Sequence, residues 1–87
     1  MRARVTVYPR REILDPQGKA IENALRRVGF PGVLSVRAGK SFEIHLGASD
    51  PQAAESELRS MCEKLLANTV VEDFQVELLT GSEGDTP

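Results

Sequence analysis

The chain has 87 residues but contains only one cysteine, Cys62, and one histidine, His45. A single cysteine cannot form a disulfide within the chain, which fits a reducing compartment. The two residues also provide no cluster of soft metal ligands. Helical spacing turns Cys62 into the core, and strand alternation turns His45 to the opposite side of the sheet. We therefore interpret Cys62 as a small apolar core residue, not as a nucleophile with a histidine base.

Long apolar runs are also absent, because polar residues interrupt the sequence throughout. No stretch has the length of a signal peptide or a membrane span, so we expect a cytoplasmic protein that does not bind membranes. The formal net charge of −2 argues against a general affinity for nucleic acid.

Aromatic side chains are few, with three phenylalanines, one tyrosine and no tryptophan. Domains that read RNA on an open sheet need two or three stacking rings on the central strands. The exposed central positions of this chain supply the ring of Tyr8 beside Thr6, Glu43 and His45, and no basic-aromatic RNA-binding signature is present. RNA binding is therefore disfavoured.

Charge is distributed unevenly along the chain. Residues 1–40 carry nine basic and three acidic side chains, whereas residues 41–87 carry two basic and ten acidic ones. Halves of opposite charge suit docking to a complementary surface, such as a second copy of the chain. Two solvated faces that only keep the protein in solution would produce the same pattern.

The tripeptide Asp-Pro-Gln occurs twice, at residues 15–17 and 50–52, and each copy begins a stretch with helical apolar spacing. An aspartate at this position accepts hydrogen bonds from the free N–H groups of the first turn, and a proline after it has no N–H to leave unpaired. We therefore predict helices over residues 16–28 and 51–66. We interpret Asn68 as a left-handed residue that ends the second helix.

Alternation of apolar and polar residues predicts four strands, over residues 2–8, 33–38, 42–46 and 70–79. Gly39 and Lys40 form the tight turn of a hairpin between the second and third strands. With Ser41 they are similar to the end of a phosphate-binding P-loop, but Leu34 stands where that motif needs its first glycine. The start of the first helix, which follows two arginines, could attract a phosphate, although a capped helix explains the same residues.

The order β-α-β-β-α-β with right-handed crossovers predicts an α+β, ferredoxin-like fold, in which both helices cover one face of a four-stranded antiparallel sheet. We predict that residues 1–79 form this single domain and that the acidic residues 80–87 form a disordered tail. The second and fourth strands are the edges, so Arg37 could pair with Glu72, Asp73 and Glu77 of another copy. The open face is a second candidate contact surface, and it presents Arg4, Thr6, Tyr8, His45 and Glu77.

The predicted core is small for a chain of this length. Its burial offsets the entropy cost of ordering the backbone only narrowly, so we expect association with another chain. Sixteen apolar side chains point inward by these patterns: Val5, Val7, Ile21, Leu25, Val28, Leu34, Val36, Phe42, Ile44, Leu46, Leu58, Met61, Leu65, Phe74, Val76 and Leu78.

Four segments resemble those of the PurS family, whose members are subunits of phosphoribosylformylglycinamidine synthase. They are residues 13–18 (ILDPQG), 36–40 (VRAGK), 61–68 (MCEKLLAN) and 70–74 (VVEDF). The resemblance covers nearly the whole chain apart from the tail, and the order and spacing of the segments agree. Thr69 stands where this family often has proline, and Phe74 where it often has tyrosine.

The resemblance implies a small non-catalytic subunit of a three-chain, ATP-dependent ligase in the fourth step of de novo purine (IMP) biosynthesis. In such enzymes a glutaminase subunit (PurQ) releases ammonia from glutamine. A synthetase subunit (PurL) uses ATP to activate formylglycinamide ribonucleotide and adds the ammonia. The small subunit is thought to bridge the two and to help ammonia pass without loss to solvent. The resemblance also implies that this chain binds no cofactor, that the complex uses ATP and Mg, and that the chain forms a homodimer or higher homo-oligomer.

The resemblance makes three regions candidate partner contacts and assigns no catalytic, cofactor-binding or metal-binding residue. They are the helix start (Asp15, Pro16, Gln17, Gly18), the hairpin (Arg37, Gly39, Lys40) and the corner (Asn68, Glu72, Asp73). A helix cap, a turn glycine and a helix stop would explain the same residues by structure alone. The alternative function is a free-standing dimeric ferredoxin-like domain that binds a small regulatory ligand, and it would need a polar pocket between helices and sheet.

Overall fold

A computed structural model describes residues 1–47 and 49–79 of the chain. The predicted tail at 80–87 lies outside the described residues. The elements in chain order are β1 (Arg2–Pro9), α1 (Pro16–Arg27), β2 (Lys40–His45), α2 (Pro51–Met61), a π-helical turn (Cys62–Leu66) and β3 (Glu72–Leu79).

The described strands form an antiparallel sheet in the order β2-β1-β3. In its register Val5 lies opposite Phe42 on β2 and opposite Val76 on β3. Because β1 is the central strand, its inward side chains Ala3 and Val7 are fully buried together with Val5. The alternation of β1 was therefore a sound guide to the buried face of the sheet.

Helix α2 covers the inner face of the sheet. Ala54, Leu58 and Cys62 follow one another at four-residue spacing, so they lie on one side of the helix, and all three are fully buried. Cys62 belongs to the core, as predicted, and its burial raises the pKa of the thiol. His45 is exposed. Among the described residues, no helix is both long and apolar enough to cross a membrane.

The predicted α+β class, with two helices and an antiparallel sheet, is confirmed, but a fourth strand is not. Within the described residues, positions 33–39 form no strand. Side chains bind the backbone of this segment in place of a neighbouring strand. Arg26 donates to the carbonyl groups of Val33 at 3.0 Å and Leu34 at 3.2 Å, and Asp15 accepts from the N–H of Ala38 at 2.8 Å. The ferredoxin-like topology and the hairpin at Gly39 are therefore not confirmed.

Helix α1 does not bury the apolar face that its spacing predicts. Among the described residues, none from α1 belongs to the core cluster. Ile21 is 39% exposed, Val28 is 71% exposed and Leu34 is 87% exposed, so these three core predictions were wrong, as was Leu65 at 83%. The radius of gyration is 16.1 Å, against roughly 12 Å for a compact domain of this length. The chain is thus less compact than a typical domain of this length, and no described residue of α1 adds to the core cluster.

Candidate functional site

The two Asp-Pro-Gln tripeptides begin helices in different ways. Asp50 caps α2 as predicted, since its Oδ1 accepts from the N–H of Gln52 at 3.2 Å. Asp15 precedes α1 in extended conformation but makes no side-chain hydrogen bond to the first turn. Its Oδ2 instead accepts from the N–H of Ala38 at 2.8 Å, across 23 positions of sequence. The prediction that Asp15 caps its own helix through a side-chain hydrogen bond was therefore wrong, although its carboxylate lies near the first-turn N–H groups of Gln17 and Gly18.

The carboxylate of Asp15 carries its charge in a favourable environment. The hydrogen bond from the Ala38 N–H lowers the pKa of Asp15 below its ordinary value, and the nearby N–H groups of Gly18 and Gln17 add to this effect. Partial desolvation opposes the shift without reversing it. The ionised form of Asp15 is therefore the form that stabilises the contact between the helix start and residue 38.

Gly18 is buried at the same contact. A Cβ atom at this position would meet the carboxylate of Asp15 and the backbone carbonyl of Val36 at less than van der Waals distance. Pro16 and Gln17, the other two predicted contact residues here, are exposed. The helix start thus presents Pro16 and Gln17 to solvent, while Asp15 and Gly18 hold the segment before β2.

Glu22 and Arg26, which the sequence analysis did not single out, complete this part of the structure. Glu22 is buried, and its Oε2 lies 2.9 Å from Arg26 and 3.1 Å from Lys19. The hydrogen bond from Lys19 is the main reason that the pKa of Glu22 is lowered. Arg26 also binds two carbonyl groups of the following segment, so the ion pair orients it. The spacing of Lys19, Glu22 and Arg26 along one helix face was the available signal.

The corner before β3 is held by its own polar groups. The carbonyl of Asn68 accepts from the N–H of Glu72 at 2.8 Å, and the Glu72 carboxylate accepts from the Asn68 N–H at 2.7 Å. Arg10 donates to the carbonyl of Thr69 at 2.6 Å and lies 3.4 Å from Asp73. Among the described residues only a glycine has positive φ, so the left-handed conformation predicted for Asn68 was wrong. Glu72 and Asp73 are therefore engaged within the chain.

The Arg37, Gly39 and Lys40 segment lies against the end of β1. The Cζ of Arg37 is 4.8 Å from the centroid of the Tyr8 ring, and its Nη1 donates to the carbonyl of Pro9 at 3.1 Å. A Cβ on Gly39 would press on the carbonyl of Val7, so only glycine allows this approach. Lys40 is exposed as the first residue of β2. The predicted edge strand with Arg37 on it is thus replaced by a segment packed on Tyr8.

Another part of the open face carries a ladder of ion pairs. Arg4 lies 3.3 Å from Glu77 and 3.6 Å from Glu43, and Arg2 lies 3.2 Å from Glu43. Within residues 1–47 and 49–79, no group of three or more His, Cys, Asp or Glu side chains is placed to hold a metal ion. The described polar side chains thus mostly bind the chain's own backbone or one another.

The chain is similar to one known protein family over nearly its whole length. The family model described as PurS, phosphoribosylformylglycinamidine (FGAM) synthase, matches residues 2–80. The PurS subunit of Mycobacterium leprae is 51% identical over 75 residues, covering 86% of this chain and 91% of the relative. The PurS subunit of Synechocystis is 43% identical over 81 residues, covering 93% and 80%. A solved chain from the PurLQS structure of Thermotoga maritima aligns with a TM-score of 0.80 at 35% identity, covering 88% and 95%.

The lowered pKa of Asp15 predicts how stability depends on pH. The contribution of the Asp15 carboxylate is present above the ordinary pKa of 3.8 and is lost as the pH falls through the lower pKa of the folded state. In Asp15→Asn, which keeps an acceptor oxygen but has no charge, the urea midpoint should be lower at neutral pH and should fall less than that of the wild type under acid conditions. Asp50→Asn is the matched control, because asparagine is an equally good helix cap. Parallel acid profiles of the wild type and Asp15→Asn would contradict the assignment.

The sign of the stability change in Gly18→Ala tests the close contact at the start of α1. In a helix, alanine is normally more favourable than glycine by about 0.8–1.0 kcal/mol. Here we expect destabilisation instead, because the new methyl group would displace Asp15 or Val36. Gly32→Ala is the control, since a Cβ there meets no atom within 4 Å. Urea denaturation that finds Gly18→Ala more stable than the wild type would show that the contact is loose.

Proposed function

The chain belongs to the PurS family of phosphoribosylformylglycinamidine synthase subunits, and from this membership we propose that it bridges the glutaminase and synthetase subunits of that enzyme and assists the transfer of ammonia between them. The likeness to a chain of the PurLQS structure of Thermotoga maritima, at a TM-score of 0.80, carries this proposal. The enzyme acts in purine biosynthesis as an ATP-dependent ligase with glutamine as amido donor. We assign ATP and Mg to the larger subunits, and a cytoplasmic location to the complex.

A bridging role needs surfaces, not catalytic groups. The candidate contact residues with free side chains are Pro16 and Gln17 at the helix start and Lys40 at the start of β2, and all three are exposed. Asp15 and Gly18 fix the position of this surface through their contacts with Ala38 and Val36. Ammonia released into water would be protonated and diluted, whereas confinement between two active sites raises its effective concentration. A chemically inert spacer with rigid contact surfaces suits that task.

Self-association is the second part of the proposal. Large apolar side chains of α1 and the segment after it are exposed, among them Val28, Phe30 and Leu34. The outer edge of β2 pairs with no strand of the described chain. Exposed apolar patches and open sheet edges are surfaces that proteins cover by association. We therefore infer a homodimer or higher homo-oligomer in which a second copy covers this apolar surface. Charge pairing between edges is disfavoured, because Asp73 and Glu77 already pair with arginines of their own chain.

Reconstitution with purified glutaminase and synthetase subunits tests the bridging role. Omission of this chain should lower glutamine-dependent synthesis by about tenfold or more, because ammonia then has to cross bulk water. Synthesis from added ammonium salt should change little, since the synthetase site is intact. Glutamine-dependent synthesis that proceeds undiminished without this chain would overturn the proposal.

The repeated tripeptide supplies a matched pair of variants for the same assay. Gln17→Arg alters an exposed candidate contact, whereas Gln52→Arg makes the same change at the exposed, equivalent position of the second copy. We expect only Gln17→Arg to reduce glutamine-dependent synthesis. Equal loss in both variants would show that the helix start has no special role.

Sedimentation analysis of Leu34→Asp tests the apolar interface. Burial of a leucine side chain contributes roughly 1.5–3 kcal/mol, so this change should weaken the oligomer by about tenfold or more. Ser56→Asp on the exposed side of α2 is the control and should keep the wild-type mass. A monomeric wild type at micromolar concentration, or a Leu34→Asp oligomer of unchanged stability, would rule out this interface.

A further inference from the structure

Among the described residues, the lining of one cleft on the open face of the sheet carries positive charge and no negative charge. It has a volume of about 700 Å³ and is lined by three cations, Arg11, Arg37 and Lys40, and by no carboxylate. Its remaining polar lining consists of neutral hydrogen-bonding groups, including the phenol of Tyr8, the hydroxyl of Ser41 and the amide of Gln75. Small-molecule sites typically occupy about 300–1,000 Å³. The cleft is therefore of ligand size.

On the other half of the same face, carboxylates neutralise the arginine charge. There, Arg4 lies within 3.6 Å of two glutamates, Glu43 and Glu77. The side chains of Arg11 and Lys40, in contrast, have no ion pair or hydrogen bond to any described residue. Arg37 contacts the Tyr8 ring and the Pro9 carbonyl, and neither group carries a compensating charge. Mutual repulsion of three cations is unfavourable unless an anion lies among them.

Several of the groups around the cleft are held by the sheet. Tyr8 lies on the central strand, and Lys40 is opposite Val7 in the register of β1 and β2. Gln75 lies opposite Thr6 on the other side of β1. The stacking on Tyr8 and the bond to Pro9 use one face and one nitrogen of the Arg37 guanidinium, so its other N–H groups stay available. An arginine oriented in this way is suited to bidentate binding of phosphate oxygens.

We propose that this cleft binds a phosphate-bearing small molecule. Three cations and several neutral donors match the charge and the several acceptor oxygens of a phosphate ester or diphosphate, whereas a single carboxylate would leave two cations unpaired. Lys40 and Arg11 supply charge, and Arg37 orients the phosphate. The cleft is on the opposite side of the sheet from α2 and the core. The proposal concerns the isolated chain, so it stands or falls independently of the bridging role.

Calorimetric titration of the full chain at low ionic strength tests the site, with inorganic pyrophosphate and glycerol 3-phosphate as separate probes. We expect saturable binding with one site per chain. The probe that binds more tightly shows whether the site prefers a diphosphate or a phosphate monoester. Lys40→Gln and Arg11→Gln should each weaken binding by about tenfold, as loss of one charge-assisted contact predicts. Both side chains lack ion pairs and hydrogen bonds among the described residues, so both variants should fold.

Lys64→Gln is the matched control, because it removes the same charge from an exposed position after α2. It should bind both probes as the wild type does. Two results would overturn the proposal: the absence of saturable binding of either probe, or equal weakening by Lys64→Gln, which would indicate nonspecific attraction. Backbone amide shifts in Ser41 and Gln75 on addition of pyrophosphate would place the ligand, and shifts confined to residues outside the cleft would also overturn it.

Discussion

The hydrogen bond from the Ala38 N–H to the carboxylate of Asp15 joins two parts of the chain that are 23 positions apart. Together with the bonds from Arg26 to residues 33 and 34, it satisfies the backbone of a segment that has no neighbouring strand. That segment leads directly into β2, and it carries Arg37, whose guanidinium lies 4.8 Å from the centroid of the Tyr8 ring. The helix start and the cationic cleft are therefore linked through one segment, which the side chains of Asp15 and Arg26 bind.

The hydrophobic core depends on other contacts and lies between α2 and one face of the sheet. Leu58 of α2 and Cys62 of the π-helical turn pack with the inward side chains of the central strand, and the burial there is complete. Helix α1 takes no part in this core and is stabilised by ion pairs around Glu22. Because α1 packs outside the core, part of the apolar surface stays uncovered. In a subunit of a larger assembly, neighbouring chains can cover such a surface.

Local patterns were good guides where the chemistry is local. Alternation along β1 and four-residue spacing along α2 identified buried faces, because each depends only on the geometry of its own element. The same reasoning failed for residues 33–38, whose alternation is that of a strand. A strand needs a partner for its ladder, and here the side chains of Asp15 and Arg26 take the partner's place. It failed again for Ile21 and Val28, because helical spacing defines a face but does not provide a surface to bury it.

The helix starts, the central strand, the buried face of α2 and the family could all be read from the amino-acid sequence, since each follows from residues close together in the chain or from the order of short segments. The different behaviour of the two identical tripeptides could not, because Asp50 caps its own helix whereas Asp15 binds a distant N–H. Only the tertiary structure brought Arg11, Arg37 and Lys40 to one cleft. The physical reason is that hydrogen bonds and charge clusters between distant residues depend on how the elements are placed, and no local pattern encodes that placement.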